Sequence, residues 1–364
     1  MTDPSGVPAP GRLAGLKPSA QWAVLLPLTA LLSSIFELTG IPAALLLGAL
    51  IAGILVGTNG GMIQVPRLPY LGSQSIVGCM IAAAITADIV ATFLEGWPLF
   101  IAVVVAILAA SSLLGWVMSR LRILPGTTAI WGSSPGAATA MMLMSEAYGA
   151  DMRLVAFMQY VRVVLVAITA SVIARFWLSP TGAAAHAIVW FPPIDWLPFL
   201  ETLALAGIGG LVGRRTGIPA GGFLLPLAIG SVLHATGLMR IELTPWLLAA
   251  SYTVLGWNVG LGFTRPIIAH ALRALPQIML SSLTLIAFCG GLGLLLTLTH
   301  GIDPLTAYLA TSPGGMDSVA IIAASTKVDV PFVMALQTVR FVIVMLVGPW
   351  IAKLAARNAT KLYR

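Results

Sequence analysis

Charge is what this chain has least of. Only 9% of its 364 residues are Asp, Glu, Lys or Arg, against roughly a quarter in soluble proteins. With 59% hydrophobic residues and a mean hydropathy of +0.99, that scarcity excludes a soluble enzyme or a solvated binding module. The chain reads as an all-α polytopic membrane protein whose first partner is the lipid bilayer. Cysteine is scarce too. Cys79 and Cys289 lie in apolar segments, which excludes a disulfide framework and leaves them as small core residues. The four histidines, His186, His234, His270 and His300, sit near segment ends with no ligand spacing, so no metal and no other cofactor is expected. A nucleotide loop and a nucleophile triad are both missing. The net charge of +7 does not point to nucleic acid, because the basic residues sit in short connections where membrane topology explains them.

Apolar segments are abundant. Six are expected in the first half, at 22–38, 42–57, 71–94, 97–118, 127–147 and 153–177. Six more are expected in the second, at 197–213, 219–236, 246–264, 275–299, 305–326 and 330–352. Several fall short of the ~20 residues that span a bilayer comfortably. Trp22, Trp97, Trp116, Trp196 and Trp246 flank them as interfacial anchors would. The expected layout is a flexible basic tail (1–20), a first membrane repeat (21–178), an external linker (179–196), a second repeat (197–352) and a cytoplasmic tail (353–364). The run from Trp22 leads into Ser33-Ser34-Ile35-Phe36-Glu37, which is no cleavage site, so a signal peptide is not expected.

The halves are copies. Residues 127–166 and 305–344 superpose without a gap at an offset of 178, sharing Ser134/Ser312, Pro135/Pro313, Gly136/Gly314, Asp151/Asp329, Gln159/Gln337 and Arg162/Arg340. Thr39-Gly40-Ile41-Pro42-Ala43 returns as Thr216-Gly217-Ile218-Pro219-Ala220, and Gly53, Gly78, Thr86 and Pro98 return as Gly230, Gly256, Thr264 and Pro276. Positive charge chooses between parallel and inverted halves. If all six segments cross, 11 Lys and Arg are cytoplasmic and six lie opposite. If the Ser-Pro-Gly segment enters and leaves on one side, each half has about five crossings. Fourteen are then cytoplasmic, and only Arg175, Arg240 and Lys327 lie outside. The second count favours two inverted repeats, each with a broken or re-entrant segment, and both termini cytoplasmic. A discontinuous crossing helix with another partial span would give the same inversion.

The Ser-Pro-Gly units carry the expected chemistry. Irregular backbone inside a bilayer is tolerated only where protein buries it or water lines it. Pro135 and Pro313 cannot donate a hydrogen bond, and a helix resuming after such a break offers free N–H groups to an anion near mid-membrane. On the helix that follows, Asp151, Val155, Gln159 and Arg162 are spaced 0, 4, 8 and 11, within about 80° on one face; Asp329, Val333, Gln337 and Arg340 repeat the set. Asp151 and Asp329 read as helix caps. Arg162 and Arg340 are too deep to snorkel and need partners. Asp317, Glu146, Asp88 and Glu37 are candidates, and so are the carbonyls at the helix breaks. The candidate solute site therefore comprises Ser134, Pro135, Gly136, Gln159, Arg162, Ser312, Pro313, Gly314, Gly315, Asp317, Gln337 and Arg340.

The run 39–57 (TGIPAALLLGALIAGILVG), its echo at 216–230 (TGIPAGGFLLPLAIG) and SPGGMDSVAIIA at 312–323 resemble the AbrB family of duplicated bacterial membrane proteins over nearly the whole chain. Its members carry labels of two kinds, ammonia monooxygenase and regulator of gene expression. The soluble DNA-binding regulator of the same name is not similar. The early helix also resembles the wider cation–proton antiporter and bile-acid-symporter-like group, which implies inverted repeats and crossing discontinuous helices. The paired acids of many antiporters have no counterpart, since Ala138-Thr139 stand where Met316-Asp317 do. The resemblance implies a bacterial inner-membrane location and a homodimer. The leading expectation is a secondary transporter or exchanger of a small, anionic solute coupled to H+ or Na+. The alternative is a membrane-embedded regulator acting on gene expression indirectly. Oxygenase chemistry, and enzyme activity in general, are not expected.

Overall fold

A bilayer leaves backbone N–H and C=O groups only each other as partners, and helices satisfy them locally. The computed structural model of the chain describes residues 13–39, 44–124, 127–136, 138–177, 190–218, 220–314, 319 and 328–361. Among these residues all regular structure is helical. The first half holds α1 (Pro18–Leu38), α2 (Ala44–Thr58), α3 (Arg67–Ala83), α4 (Ala87–Arg120), α5 (Thr128–Ser133), α6 (Ala138–Ala147) and α7 (Met152–Trp177). The second holds α8 (Trp196–Arg215), α9 (Gly221–Ala235), α10 (Pro245–Gly260), α11 (Arg265–His300), α12 (Pro304–Thr311) and α13 (Val330–Lys361). Among the described residues, five stretches are long and apolar enough to cross a membrane: α1, α4, α8, α11 and Val330–Ile351 within α13. This is a multi-pass membrane protein.

Two boundaries differ from the sequence reading. The segments expected at 71–94 and 97–118 divide earlier, between Ala83 and Ala87. Thr86 caps the new helix by accepting from Ile89 N at 3.4 Å, and Asp88 in the first turn suits the positive dipole end. Pro98 then sits inside α4, where Gly96 leaves helical geometry (φ −119°, ψ 22°) and the chain kinks without stopping. In the second half Pro276 is likewise interior to α11, which begins at Arg265.

The helices pack as two sets. Helices α1, α2, α3, α8, α9 and α10 form one, with α2 against α10 and α3 against α9; α4 to α7 with α11 to α13 form the other. Narrower contacts of α7 with α10 and α4 with α9 join them. Within the first set, Gly260 lies so close to α2 that a Cβ there would overlap Leu50 O. Contacts between helix ends sort them into two levels. At one level the start of α1 meets the end of α2 (Met62 N to Gln21 Oε1, 2.9 Å), and α11 starts beside it (Arg265 Nε to Thr58 O, 3.1 Å). The start of α7 meets the end of α10, with Arg153 Nη1 2.7 Å from Gly262 O, and the start of α3 meets the end of α6, with Tyr70 Oη 2.6 Å from Glu146 Oε2. At the other level α8 and α10 begin side by side, Asp195 N donating to Glu242 Oε1 at 3.1 Å.

Candidate functional site: two capped helix breaks

The breaks follow from proline's demand on its predecessor. A residue before proline is pushed out of the α region. Ser134 (φ −62°, ψ 124°) and Ser312 (φ −54°, ψ 137°) accordingly end α5 and α12 in extended geometry. Each short helix therefore stops deep in the protein with its last carbonyls unbonded. Ser134, Pro135, Gly136, Ser312, Pro313 and Gly314 are all buried.

The following helices supply the missing donors. Asp151 and Asp329 cap them, accepting from Arg153 N and Phe332 N at 3.0 Å each. Two turns on, Gln159 Nε2 donates to Trp131 O (3.0 Å), Gly132 O (3.3 Å) and Ser134 O (3.1 Å). Gln337 repeats the set on Leu309 O (2.8 Å), Ala310 O (3.3 Å) and Ser312 O (3.2 Å). Arg162 Nη1 donates to Ser133 O (3.2 Å) and Ser134 O (3.1 Å), and its Nη2 to Gln159 Oε1. Arg340 donates to Ser312 O (2.6 Å), Gly314 O (3.0 Å) and Gln337 Oε1 (2.6 Å). A cation at a helix C-terminus is favoured by the dipole. Among the described residues, the carbonyls at the breaks are the partners that the sequence offered as one alternative.

Both arginines are buried, 2% and 1% exposed, and among the described residues the Nε of each has no partner. The candidate carboxylates lie elsewhere: Glu146 is exposed and accepts from Tyr70, Asp88 is exposed, and Glu37 is half-buried on α1. Gly315 and Asp317 lie outside the described residues.

The two breaks meet. Gly314 lies against Val166 of α7, Tyr308 Oη is 3.0 Å from Thr169 Oγ1, and the Trp131 ring lies against Gly348 of α13. The two guanidiniums are within electrostatic reach of each other and of Cys289. Cys289 also anchors the second break, its carbonyl accepting from Thr311 Oγ1 at 2.9 Å. Sequence reasoning had placed Cys289 only in the core. It missed Gly115 and Gly293 as well, which bring α4 and α11 onto the short helices: a Cβ at Gly115 would overlap Ser133 Oγ, and one at Gly293 would stand 3.1 Å from Thr311 Oγ1. The 178-residue offset pairs both glycines and both hydroxyls, so the signal was present. Among the described residues, no three His, Cys, Asp or Glu side chains gather as metal ligands would.

At the start of α7 Asp151 binds Arg153 through both oxygens (3.0 and 3.1 Å). Burial pushes its carboxyl up. The hydrogen bonds and charge of Arg153, with the backbone N–H groups of Arg153 and Leu154, outweigh that and hold it below the usual carboxylate value.

The sequence model of the family described as "Transition state regulatory protein AbrB" matches residues 45–356. The chain belongs to the AbrB family. A relative from Escherichia coli (strain K12), named "Putative regulator AbrB", is 46% identical over 345 residues, 94% of this chain and 99% of its own length. A second relative, "Uncharacterized protein YhjN" of Bacillus subtilis (strain 168), is 25% identical over 291 residues, 76% of each chain. The matched residues of this AbrB-family chain include both breaks and all four capping side chains.

Proposed function

We propose that this AbrB-family protein is a secondary transporter or exchanger of a small anionic solute, bound near mid-membrane between the two broken helices and coupled to H+ or Na+. The observation that carries the reading is the pair Arg162 and Arg340. Two guanidiniums are buried together with carbonyl dipoles as their described partners. A charge at such depth costs at least ~2.5–3.5 kcal/mol on insertion scales, and a bound anion offsets that cost directly.

The order of contacts supports the inverted arrangement this function needs. Asp151 N donates to Thr128 Oγ1 at 3.2 Å, so α5 and α7 start together, and α6 ends beside the start of α3, back at the same level. That order fits a re-entrant hairpin. Asp329 N donates to Thr306 Oγ1 at 3.2 Å, so α12 and α13 also start together. Along α7, Val166 meets Gly314 and Thr169 meets Tyr308, so α12 runs against α7. The basic residues Lys17, Arg67, Arg153 and Arg265 stand at the level where α7 starts, which favours cytoplasmic termini. Reporter fusions should then find 179–196 outside and 265–273 inside; the reverse result overturns the inversion.

The names of the family and of the Escherichia coli relative favour a second reading, a membrane-embedded regulator that senses the same kind of anion. Proteoliposomes separate the two. Flux of a radiolabelled organic acid or amino acid, lost in Arg340→Lys while the protein stays folded by size exclusion, supports transport. Saturable binding of the panel without flux supports the sensor. Absence of both refutes the anion site.

A further inference from the structure

We propose that Tyr70–Glu146 and Arg153–Gly262 form a polar latch that closes the midplane site toward the face where α7 begins. The latch rests on the site proposed above, and supplies the regulation of access to it.

Both contacts bridge the two helix sets. Tyr70, on α3 of the first set, donates to Glu146 at the end of α6 in the second, at 2.6 Å. Arg153, on α7 of the second set, donates to the carbonyl of Gly262, just past α10 of the first, at 2.7 Å. The geometry is held ready from behind, because Asp151 fixes the Arg153 guanidinium with two bonds of 3.0 and 3.1 Å. A phenol on a carboxylate and a guanidinium on a carbonyl are charge-assisted bonds, stronger than neutral ones.

The duplication makes the latch one-sided. The positions 178 residues beyond Tyr70, Glu146 and Arg153 are Leu248, Ala324 and Pro331, and the position 178 before Gly262 is Ala84. None of those three side chains can make the corresponding bond. Separation of the helix sets thus breaks both latch contacts, together with Arg265 Nε to Thr58 O, on the face where α7 begins, and the positions that correspond to the latch side chains are apolar. Between latch and arginines lies α6, whose Met141, Met142 and Met144 pack in one core with Leu46, Leu50 and Val77 of the first set. Thioether side chains re-pack easily, so this layer can part once the latch opens.

The protein carries its own reporter. Cys79 and Cys289 are its two cysteines, and Cys289 is fully buried, within electrostatic reach of both arginines. In a Cys79→Ser background, vesicles of each orientation are treated with a membrane-impermeant sulfonate methanethiosulfonate. Tyr70→Phe and Glu146→Gln should each speed labelling of Cys289 from the face where α7 begins by about tenfold, as loss of one charge-assisted bond implies. The double variant should match either single one, because both remove the same bond. Arg153→Ala, which breaks the other contact, should speed labelling further. Labelling from the opposite face should not rise. Unchanged rates from the first face in all three variants, or an equal rise from both faces, overturn the latch. No solute enters this assay, so a failed flux measurement and a failed latch are told apart.

Discussion

Replacing Gln159 by Leu removes the amide that closes the first break, and the cost can be set against the same change at Gln337. Trp131 O and Gly132 O have Gln159 Nε2 as their donor, whereas Ser134 O keeps Arg162 Nη1. Among the described residues, Gln159→Leu therefore orphans two buried carbonyls. At Gln337 the count differs: Leu309 O keeps Ser312 Oγ at 3.1 Å, and Ser312 O keeps Arg340 Nη1. Among the described residues Ala310 O alone is orphaned there. At ~1–3 kcal/mol for each buried acceptor left unpaired, Gln159→Leu should cost about 2–6 kcal/mol and Gln337→Leu about half as much. Reversible unfolding in mixed micelles by SDS titration reads both. Each Gln also supplies an oxygen to its own arginine, a loss common to both variants that cancels in the difference. Equal costs, or a larger cost at Gln337, would refute the argument that these amides act as helix caps.

Gly115→Ala should destabilise by ~1–3 kcal/mol, the usual penalty of overpacking, because the new methyl meets Ser133 Oγ and the Ile130 backbone. Gly290→Ala on α11 meets nothing within 4 Å and should stabilise by ~0.5–1 kcal/mol through helix propensity; the same unfolding assay compares them. Asp151 predicts an acid-side signature. Its folded pKa lies below the usual carboxylate value, so the stability it contributes is fully present above that value and is lost as pH falls through the lower, folded pKa. Unfolding of the wild type and Asp151→Asn, followed from pH 6 downward, should show a stability difference that is constant to about pH 4 and shrinks below it. A difference that grows on acidification would contradict the sign.

How much of this was readable from the letters alone depends on the kind of partner involved. The membrane class follows from composition, and the pair of breaks follows from Ser-Pro-Gly recurring 178 residues apart with Gln and Arg in register. Burial of Arg162 was legible from its depth in an apolar run. What it bonds to was not decided, because apart from Gln159 Oε1 its described partners are main-chain carbonyls, which every residue has and no letter marks. The division at Ala83–Ala87 was hidden for a related reason. The hydrophobic run continues through Gly96 and Pro98, and the cap at Thr86 is a single hydroxyl in a long apolar stretch. Tyr70 and Glu146 stand 76 residues apart, and local periodicity says nothing about such a meeting.

Each broken helix is capped from its own half of the chain: Gln159 and Arg162 serve α5, and Gln337 and Arg340 serve α12. Between the halves, the described polar link at this centre is Tyr308 with Thr169. Neither half therefore depends on the other to keep these break carbonyls paired. The same independence lets the copies diverge: Tyr70, Glu146 and Arg153 could arise in one without disturbing the main-chain bonding of the other.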